Sequence, residues 1–267
     1  MSEKEANFGN DHRRDLEQAA NAPQKSKISD SLTKPLARRF YTEVTVAGEP
    51  GAWEILLDGR TIKTPKKRTL RLPTRELADA IRDEWDAQEK EINPSRMPLT
   101  RFANTAIDAV SEAMDSVAAD IVSYAGSDFL CYRAESPEKL RILQAECWNP
   151  IVARAEAELD AQFRIVNGIM FVPQPQETLD AVANSLRPHN AYRLTGLHVL
   201  TTLTGSALLA LALDRQDISP DDAWAAAHVD EDYQIAHWGE DAEGAARRRG
   251  REIEFRAACR WLAALAA

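Results

Sequence analysis

The sequence predicts an α+β protein, a small antiparallel sheet with covering helices followed by an all-helical part. Three observations predict it. Short runs rich in β-formers alternate with turn residues between positions 39 and 72, which is how strands and hairpins read. After about position 110 no such run recurs, and apolar residues repeat at helical spacing instead. The 267 residues, 44% of them apolar, suffice for one large domain or two small ones with a real core. The expected division is a polar leader over residues 1–34, an α+β domain over 35–120 and a helical domain over 121–267.

The leader has few large apolar side chains to offset the entropy of ordering it, so a loose, disordered segment is expected. It lacks an apolar signal core, and Glu3, Glu5, Asp11, Asp15 and Glu17 set it apart from an acid-poor organellar transit peptide. A bacterial, cytoplasmic location is therefore the expectation.

In the sheet, "FYTEVTV", "WEILL", "RTIKT" and "TLRL" read as strands. Asp58-Gly59 joins the second and third through a type I′ turn, because both central residues of that turn need positive φ. Asp58 and Gly59 are thus structural candidates. A second turn, "KTPKKR", carries Lys63, Lys66, Lys67 and Arg68. Four cations could meet a phosphate, but a solvated turn guarding a sheet edge with lysine is the expected reading.

So small a sheet needs a cover. Pro73-Thr74 opens a helix on which Leu77, Ile81, Trp85 and Ile92 share one face. Trp85 is therefore expected to serve folding. "LTRFANTAIDAV" follows as a second helix, with Leu99, Phe102, Ala106 and Val110 aligned. Helical patterns then continue to the C-terminus, with no further strand expected. Residues 194–213 carry no formal charge over about the length that spans a bilayer. His198, four threonines, Ser206 and two glycines dilute the run, so one buried central helix is expected and no membrane insertion. Residues 219–239 read as a single helix, with Ser219 as cap, Pro220 in the first turn and Asp221 and Asp222 suited to the dipole.

The search for chemistry yields no catalytic residue. There is no glycine-rich phosphate loop and no nucleophile elbow. His228 and His237, nine positions apart on one expected helix, project to opposite sides and cannot share a metal, and His189 and His198 repeat that spacing. Cys131, Cys147 and Cys259 form neither a disulfide framework nor a C-x-x-C pair, and Cys147 is expected to be a small buried residue. No cofactor, metal or small-molecule substrate is expected. The net charge of −9 argues against nucleic acid as a partner.

Charge is unevenly placed. Between Gln216 and Gly244 stand nine acids and no lysine or arginine, and Arg247, Arg248, Arg249 and Arg251 follow. Trp224, Tyr233 and Trp238 lie within the acidic stretch. Aromatics beside carboxylates suit a protein-contact surface, although Trp224, Ile235 and Trp238 also fall on one helical face and could be core.

Seven motifs occur in order: "RRFY" at 38–41, "LDGRTIKTP" from 57, "EWDAQ" at 84–88, "MPLTRFANTAID" at 97–108, "DFLCYRAESPEKL" at 128–140, "WNPIV" at 148–152 and "DEDYQIAHWGED" at 230–241. From about Arg38 onward the chain resembles the assembly chaperones of the F-type ATP synthase alpha subunit, the assembly factor 2-like family of mitochondria and alphaproteobacteria. The resemblance implies a small α+β part followed by an orthogonal helical part, and no enzyme activity. It implies a helper that holds the unassembled alpha subunit until the beta subunit takes over. A general holdase or scaffold without a dedicated client is the alternative, and an enzyme using His228 or His237 a more distant one. The family pattern carries over to Trp85 and to Glu240 with Asp241. Glu231, Trp238, Glu240 and Asp241 are the expected partner-binding residues. Gly239 is expected to end the preceding helix in a left-handed cap. The two carboxylates would then sit at the negative end of a dipole, serving either a basic patch on the client or Arg247 and Arg248.

Overall fold

The structure, a computed structural model, describes residues 36–266. The leader expected over residues 1–34 lies outside the described residues. Two compact units meet in sequence between Arg38 and Arg39. Among the described residues of the first is a two-residue strand, β1 (Ala37–Arg38).

The sheet of the second unit is built around β3 (Trp53–Leu57). Along one edge β2 (Val44–Ala47) pairs antiparallel, Val44 opposite Leu57 and Ala47 opposite Glu54. Along the other lie β4 (Arg60–Thr61), with Leu57 opposite Arg60, and β5 (Arg71–Leu72), with Trp53 opposite Leu72. The Asp58-Gly59 turn forms as the sequence requires, at φ 45° and 78°. Asp58 does more than turn the chain. Its carboxylate accepts from Thr42 N (3.0 Å), Thr42 Oγ1 (3.0 Å) and Glu43 N (2.9 Å), tying the hairpin to the segment entering β2. The backbone N–H groups of Glu43 and Thr42, then the Thr42 hydroxyl, hold its pKa below the ordinary carboxylate value.

Ten α-helices follow among the described residues. The first, α1 (Arg75–Asp86), is capped by Thr74 and buries Leu77, Ala78, Ala80 and Ile81 against the sheet. It ends before Ile92, which lies in β6 (Glu91–Ile92) rather than on the helix face expected for it. Gln88 makes that stop: Nε2 donates to Glu84 O (2.9 Å), while Oε1 accepts from Asn93 N (2.8 Å). Trp85 is half-buried at the helix end, its ring 5.8 Å from that of Tyr41, whose hydroxyl donates to Trp85 O (2.7 Å). Trp85→Ala is expected to cost roughly 2–3 kcal/mol in urea unfolding, below the 3–5 of a fully buried aromatic. Trp85→Arg should cost more, by adding a charge at a half-dry site. Unchanged unfolding of Trp85→Ala would remove this residue from the folding core.

Helix α2 (Pro98–Asp108) is secured at both ends by side chains from earlier in the chain. Its own N-cap position, Met97, supplies no capping side chain. Glu84 does so instead, accepting from Leu99 N (2.7 Å), Thr100 N (2.8 Å) and Thr100 Oγ1 (2.8 Å). Burial raises the Glu84 pKa, and these bonds only partly offset it. At the other end the "KTPKKR" turn arrives. Lys66 Nζ donates to Asp108 O (2.6 Å) and Arg68 to Ile107 O (2.7 Å), with Glu112 paired to Arg68. Thr64 Oγ1 (2.7 Å) and Lys66 N (2.9 Å) donate to the Asp108 carboxylate. Cations and donors thus meet the unsatisfied carbonyls at the negative end of α2. Lys66 and Arg68 are fasteners of this helix rather than solvated guards of a sheet edge.

The helical part is arranged around α6 (Ala191–Thr204), which packs on α10 (Ala242–Ala266), α7 (Ala207–Asp214), α2 and α3 (Met114–Gly126). Gly196 marks the tightest approach. A Cβ there would come within 2.7 Å of Trp261 Cδ1 and 2.6 Å of Leu262 Cδ2. The run at 194–213 is buried as expected but is two helices. Gly205 adopts a left-handed conformation (φ 78°, ψ 13°), and Ser206 caps α7 through Leu209 N. Among the described residues no helix is long and apolar enough to cross a membrane. Strands also continue where none is expected: β7 (Tyr132–Arg133) pairs parallel with β8 (Val166–Asn167). The remaining helices are α4 (Glu138–Leu159), α5 (Gln176–Leu186), α8 (Pro220–Ala227) and α9 (Val229–Trp238).

Candidate partner-binding surface

The acidic stretch folds as two helices, since the helix expected over 219–239 breaks at His228 (φ −121°, ψ 16°). Ser219 caps α8 as the sequence indicates, accepting from Asp222 N (3.1 Å). His228 is buried, with Nδ1 2.8 Å from Trp224 O and its ring 3.9 Å from the Trp224 ring. Burial lowers its pKa, so it stays a neutral packing group. The break separates the aromatics that one face would have joined. Trp224 is core, 5.1 Å from the Phe255 ring, while Trp238 is 79% exposed.

Most acids of the stretch have arginine partners. Asp217 pairs with Arg154 (2.9 Å), Asp221 with Arg256, Glu231 with Arg251 (3.0 Å), Asp232 with Arg248 (2.5 Å) and Glu243 with Arg247 (2.5 Å). Arg248 and Arg251 of α10 therefore face acids of α9, and Arg256 further along α10 faces Asp221 of α8. Glu231, an expected contact residue, is held within the fold by Arg251. Asp241 is likewise engaged: Oδ1 accepts from Gly244 N (2.7 Å) and its carbonyl from Ala245 N (3.0 Å). It sits at the start of α10, the positive end of a dipole, where an acid is favoured. The expected unfavourable placement is thus overturned for Asp241, because the next helix begins at once. Gly239 has positive φ (84°) but extended ψ (168°), so the expected left-handed cap is not formed. Glu240 is exposed and has no ion pair or hydrogen bond among the described residues. Arg247 and Arg248, the internal partners weighed for it, are taken by Glu243 and Asp232.

Beside these acids lies a feature the sequence did not disclose. An open groove of about 630 Å³ runs between α4 and α9, lined by Ile142, Leu143, Cys147, Val229, Tyr233 and Ala236 among others. Ile142 and Leu143 are 46% and 41% exposed. Cys147, expected to be buried, is exposed on this wall, while Cys131 is buried and Cys259 intermediate. A second apolar feature is the loop after β8, where Ile169, Met170 and Phe171 stand in solvent. Among the described residues no group of three or more His, Cys, Asp or Glu side chains could hold a metal ion.

An exposed tryptophan beside an open apolar groove, on a surface otherwise laced with ion pairs, defines a protein-binding module. Comparison with known proteins gives the kind. The family described as ATP12 chaperone protein matches residues 38–156. Protein atp12, mitochondrial, of Schizosaccharomyces pombe is 26% identical over 231 residues, 81% of this chain and 79% of that protein. The crystal structure of Atp12 from Paracoccus denitrificans superposes with a TM-score of 0.81 at 42% identity, covering 85% of this chain and 98% of that one. A solved protein of Agrobacterium tumefaciens gives 0.84 at 43% identity, covering 94% and 95%. The chain belongs to the ATP12 chaperone family.

Proposed function

We propose that this chain is a dedicated, non-enzymatic chaperone that holds the unassembled alpha subunit of the F-type ATP synthase in the bacterial cytoplasm until the beta subunit replaces it. Family membership supports the chaperone role, and the ordered motifs of the sequence support the client. The observation that carries the reading is the corner formed by Trp238 and Glu240. There a large aromatic is 79% exposed, and the acid two residues on has no partner within the described fold. Neither serves packing, so both are available to a client, with Trp238 as an anchor and Glu240 as a charge at its rim. Asp241 and Glu231 support the corner from within, by capping α10 and by pairing with Arg251.

Glu240→Lys tests this. Because Glu240 makes no ion pair or hydrogen bond among the described residues, unfolding should be unchanged within about 0.5 kcal/mol, as for other surface substitutions. Capture of purified, unassembled alpha subunit should fall about tenfold at low ionic strength, and by less in high salt, where surface charge is screened. A folded Glu240→Lys protein that captures the alpha subunit as wild type does would remove this corner from the interface. Wild-type protein that retains the alpha subunit no better than unrelated proteins would remove the client.

A further inference from the structure

We propose that the cavity beside β7 is a carboxylate-binding site, in which the Arg133 guanidinium takes the anionic group of a ligand from outside the chain. The carboxylate belongs either to an acidic side chain of the client or to a free organic acid.

Arg133 is a charge without a counter-ion. Among the described residues it is the one lysine or arginine that is buried, at 5% exposure, and buried charges are ordinarily paired. Arg193 and Arg248, also well covered, pair with Asp214 and Asp232. Arg133 instead donates Nη1–H to Leu130 O and Nη2–H to Asn149 Oδ1 (2.8 Å), both neutral acceptors. A guanidinium carries donors on all three nitrogens, two on each terminal one. Its Nε–H and one N–H on each terminal nitrogen are therefore without an acceptor among the described residues. Burial lowers the Arg133 pKa and only the Cys131 thiol acts against it, so no carboxylate of the fold bears on this group.

The cavity opens this charge to a ligand. Its volume is about 460 Å³, and Arg133 lines it with Gln144 and Trp148, which are both buried. The guanidinium carbon stands 5.0 Å from the centre of the Trp148 ring. Two acceptors and an aromatic face thus hold the arginine before any ligand arrives, which removes the cost of ordering a flexible side chain. The anion that a planar guanidinium fits best is a carboxylate, through two parallel N–H···O bonds. Charge on the open side narrows the choice further. Glu135 and Asp230 also line the cavity, both are exposed, and Asp230 accepts from Gln144 Nε2 (2.7 Å). They oppose a dianion such as phosphate more strongly than a single carboxylate.

The test uses N-acetylglutamate α-amide and N-acetylglutamine α-amide, which are nearly isosteric and differ in the one charge. Each is titrated into the folded chain at low ionic strength and followed by tryptophan fluorescence, to which Trp148 contributes. The glutamate compound should give a saturable change in the millimolar range, and the glutamine compound should bind at least tenfold more weakly. Arg133→Gln should weaken the glutamate compound to the same degree. Where that variant fails to fold, Glu135→Gln decides, since Glu135 is exposed and makes no hydrogen bond or ion pair among the described residues. It should tighten the glutamate compound about threefold at low salt, with the gain lost at high salt. Equal binding of both compounds, binding of neither, or an affinity that ignores both substitutions overturns the proposal.

Competition identifies the source of the carboxylate. Where the client supplies it, an excess of the glutamate compound lowers capture of purified alpha subunit severalfold, and the glutamine compound does not. Capture that is unmoved while the glutamate compound still binds assigns the site to a free organic acid. An alpha subunit retained no better than unrelated proteins would remove the client and leave the titration with the two compounds as it stands.

Discussion

Replacing Trp148 by alanine is expected to cost about 4–5 kcal/mol in urea unfolding, a large share of the roughly 5–15 kcal/mol that holds a typical domain together. Trp148 lies on the inward face of α4 and is buried among Phe129, Arg133 and α8. Its Nε1 donates to Ala226 O (2.8 Å), its ring meets Phe129 edge-on at 5.2 Å, and the Arg133 guanidinium sits 5.0 Å from its centre. Truncation opens a cavity, orphans a carbonyl and strips Arg133 of its aromatic neighbour. That arginine has no carboxylate partner among the described residues, and keeps only Leu130 O and Asn149 Oδ1. Burial already lowers its pKa. Trp148→Phe separates the contributions: it keeps most of the packing and loses the N–H, for about 1–2 kcal/mol. Because Trp148 ties α4 to α8, and α9 follows α8 directly, the alanine variant should also lose its hold on the client once partly unfolded. A cost below about 1 kcal/mol for Trp148→Ala would show that α4 and α8 are joined by other contacts.

The parts of this fold legible in the sequence are those whose causes are local. The Asp58-Gly59 turn depends on two residues tolerating positive φ, and the sequence states both. The cap at Ser219 needs only its own side chain and Asp222 N. The role of the "KTPKKR" turn is not legible, for the opposite reason. Lys66 and Arg68 meet Asp108 and Ile107, 42 and 39 positions away, and no local pattern announces that meeting. The apolar run at 194–213 hid a break because both helices within it are buried, so hydrophobicity never drops. Glu84 read as one letter of a motif, whereas its carboxylate starts α2 from the end of α1.

The site divides in the same way. Uneven charge near the C-terminus was visible, and so was the aromatic–acid mixture around Trp238. Which acids were committed to the fold was not, since the pairing of Glu231 with Arg251 and of Asp232 with Arg248 depends on how α10 folds back. The groove was invisible for a further reason. Helix α4 carries apolar residues on two sides: Trp148, Ile151, Val152 and Ala155 face inward, while Ile142 and Leu143 face out. Periodicity can sort apolar from polar faces, but not a core face from an apolar face left in water.

Asp128→Ala is expected to cost about 3 kcal/mol at pH 7.5, and more at pH 5. Asp128 is fully buried and starts two elements at once. Oδ1 accepts from Leu130 N (3.1 Å) in the turn after α3, and Oδ2 accepts from Ser206 Oγ (2.9 Å) and Leu208 N (3.0 Å) at the start of α7. Alanine leaves these donors in a dry interior, at about 1–3 kcal/mol for each group left unpaired, partly offset by relief of a buried charge. Burial raises the Asp128 pKa to about 6, against the pull of the hydrogen bonds from Leu208, Ser206 and Leu130. An unfolded aspartate titrates near 3.9, so between about pH 4 and 6 the folded chain holds this proton more tightly than the unfolded one. Its contribution to stability is therefore fully present below about pH 4 and lost as the pH rises through 6. Stability measured for both proteins from pH 7.5 to 5 cancels the groups they share. The gap between wild type and Asp128→Ala should widen by about 1 kcal/mol over that range. A gap that stays flat would mean that the three donors outweigh burial, and that Asp128 ionises as an ordinary carboxylate inside the protein.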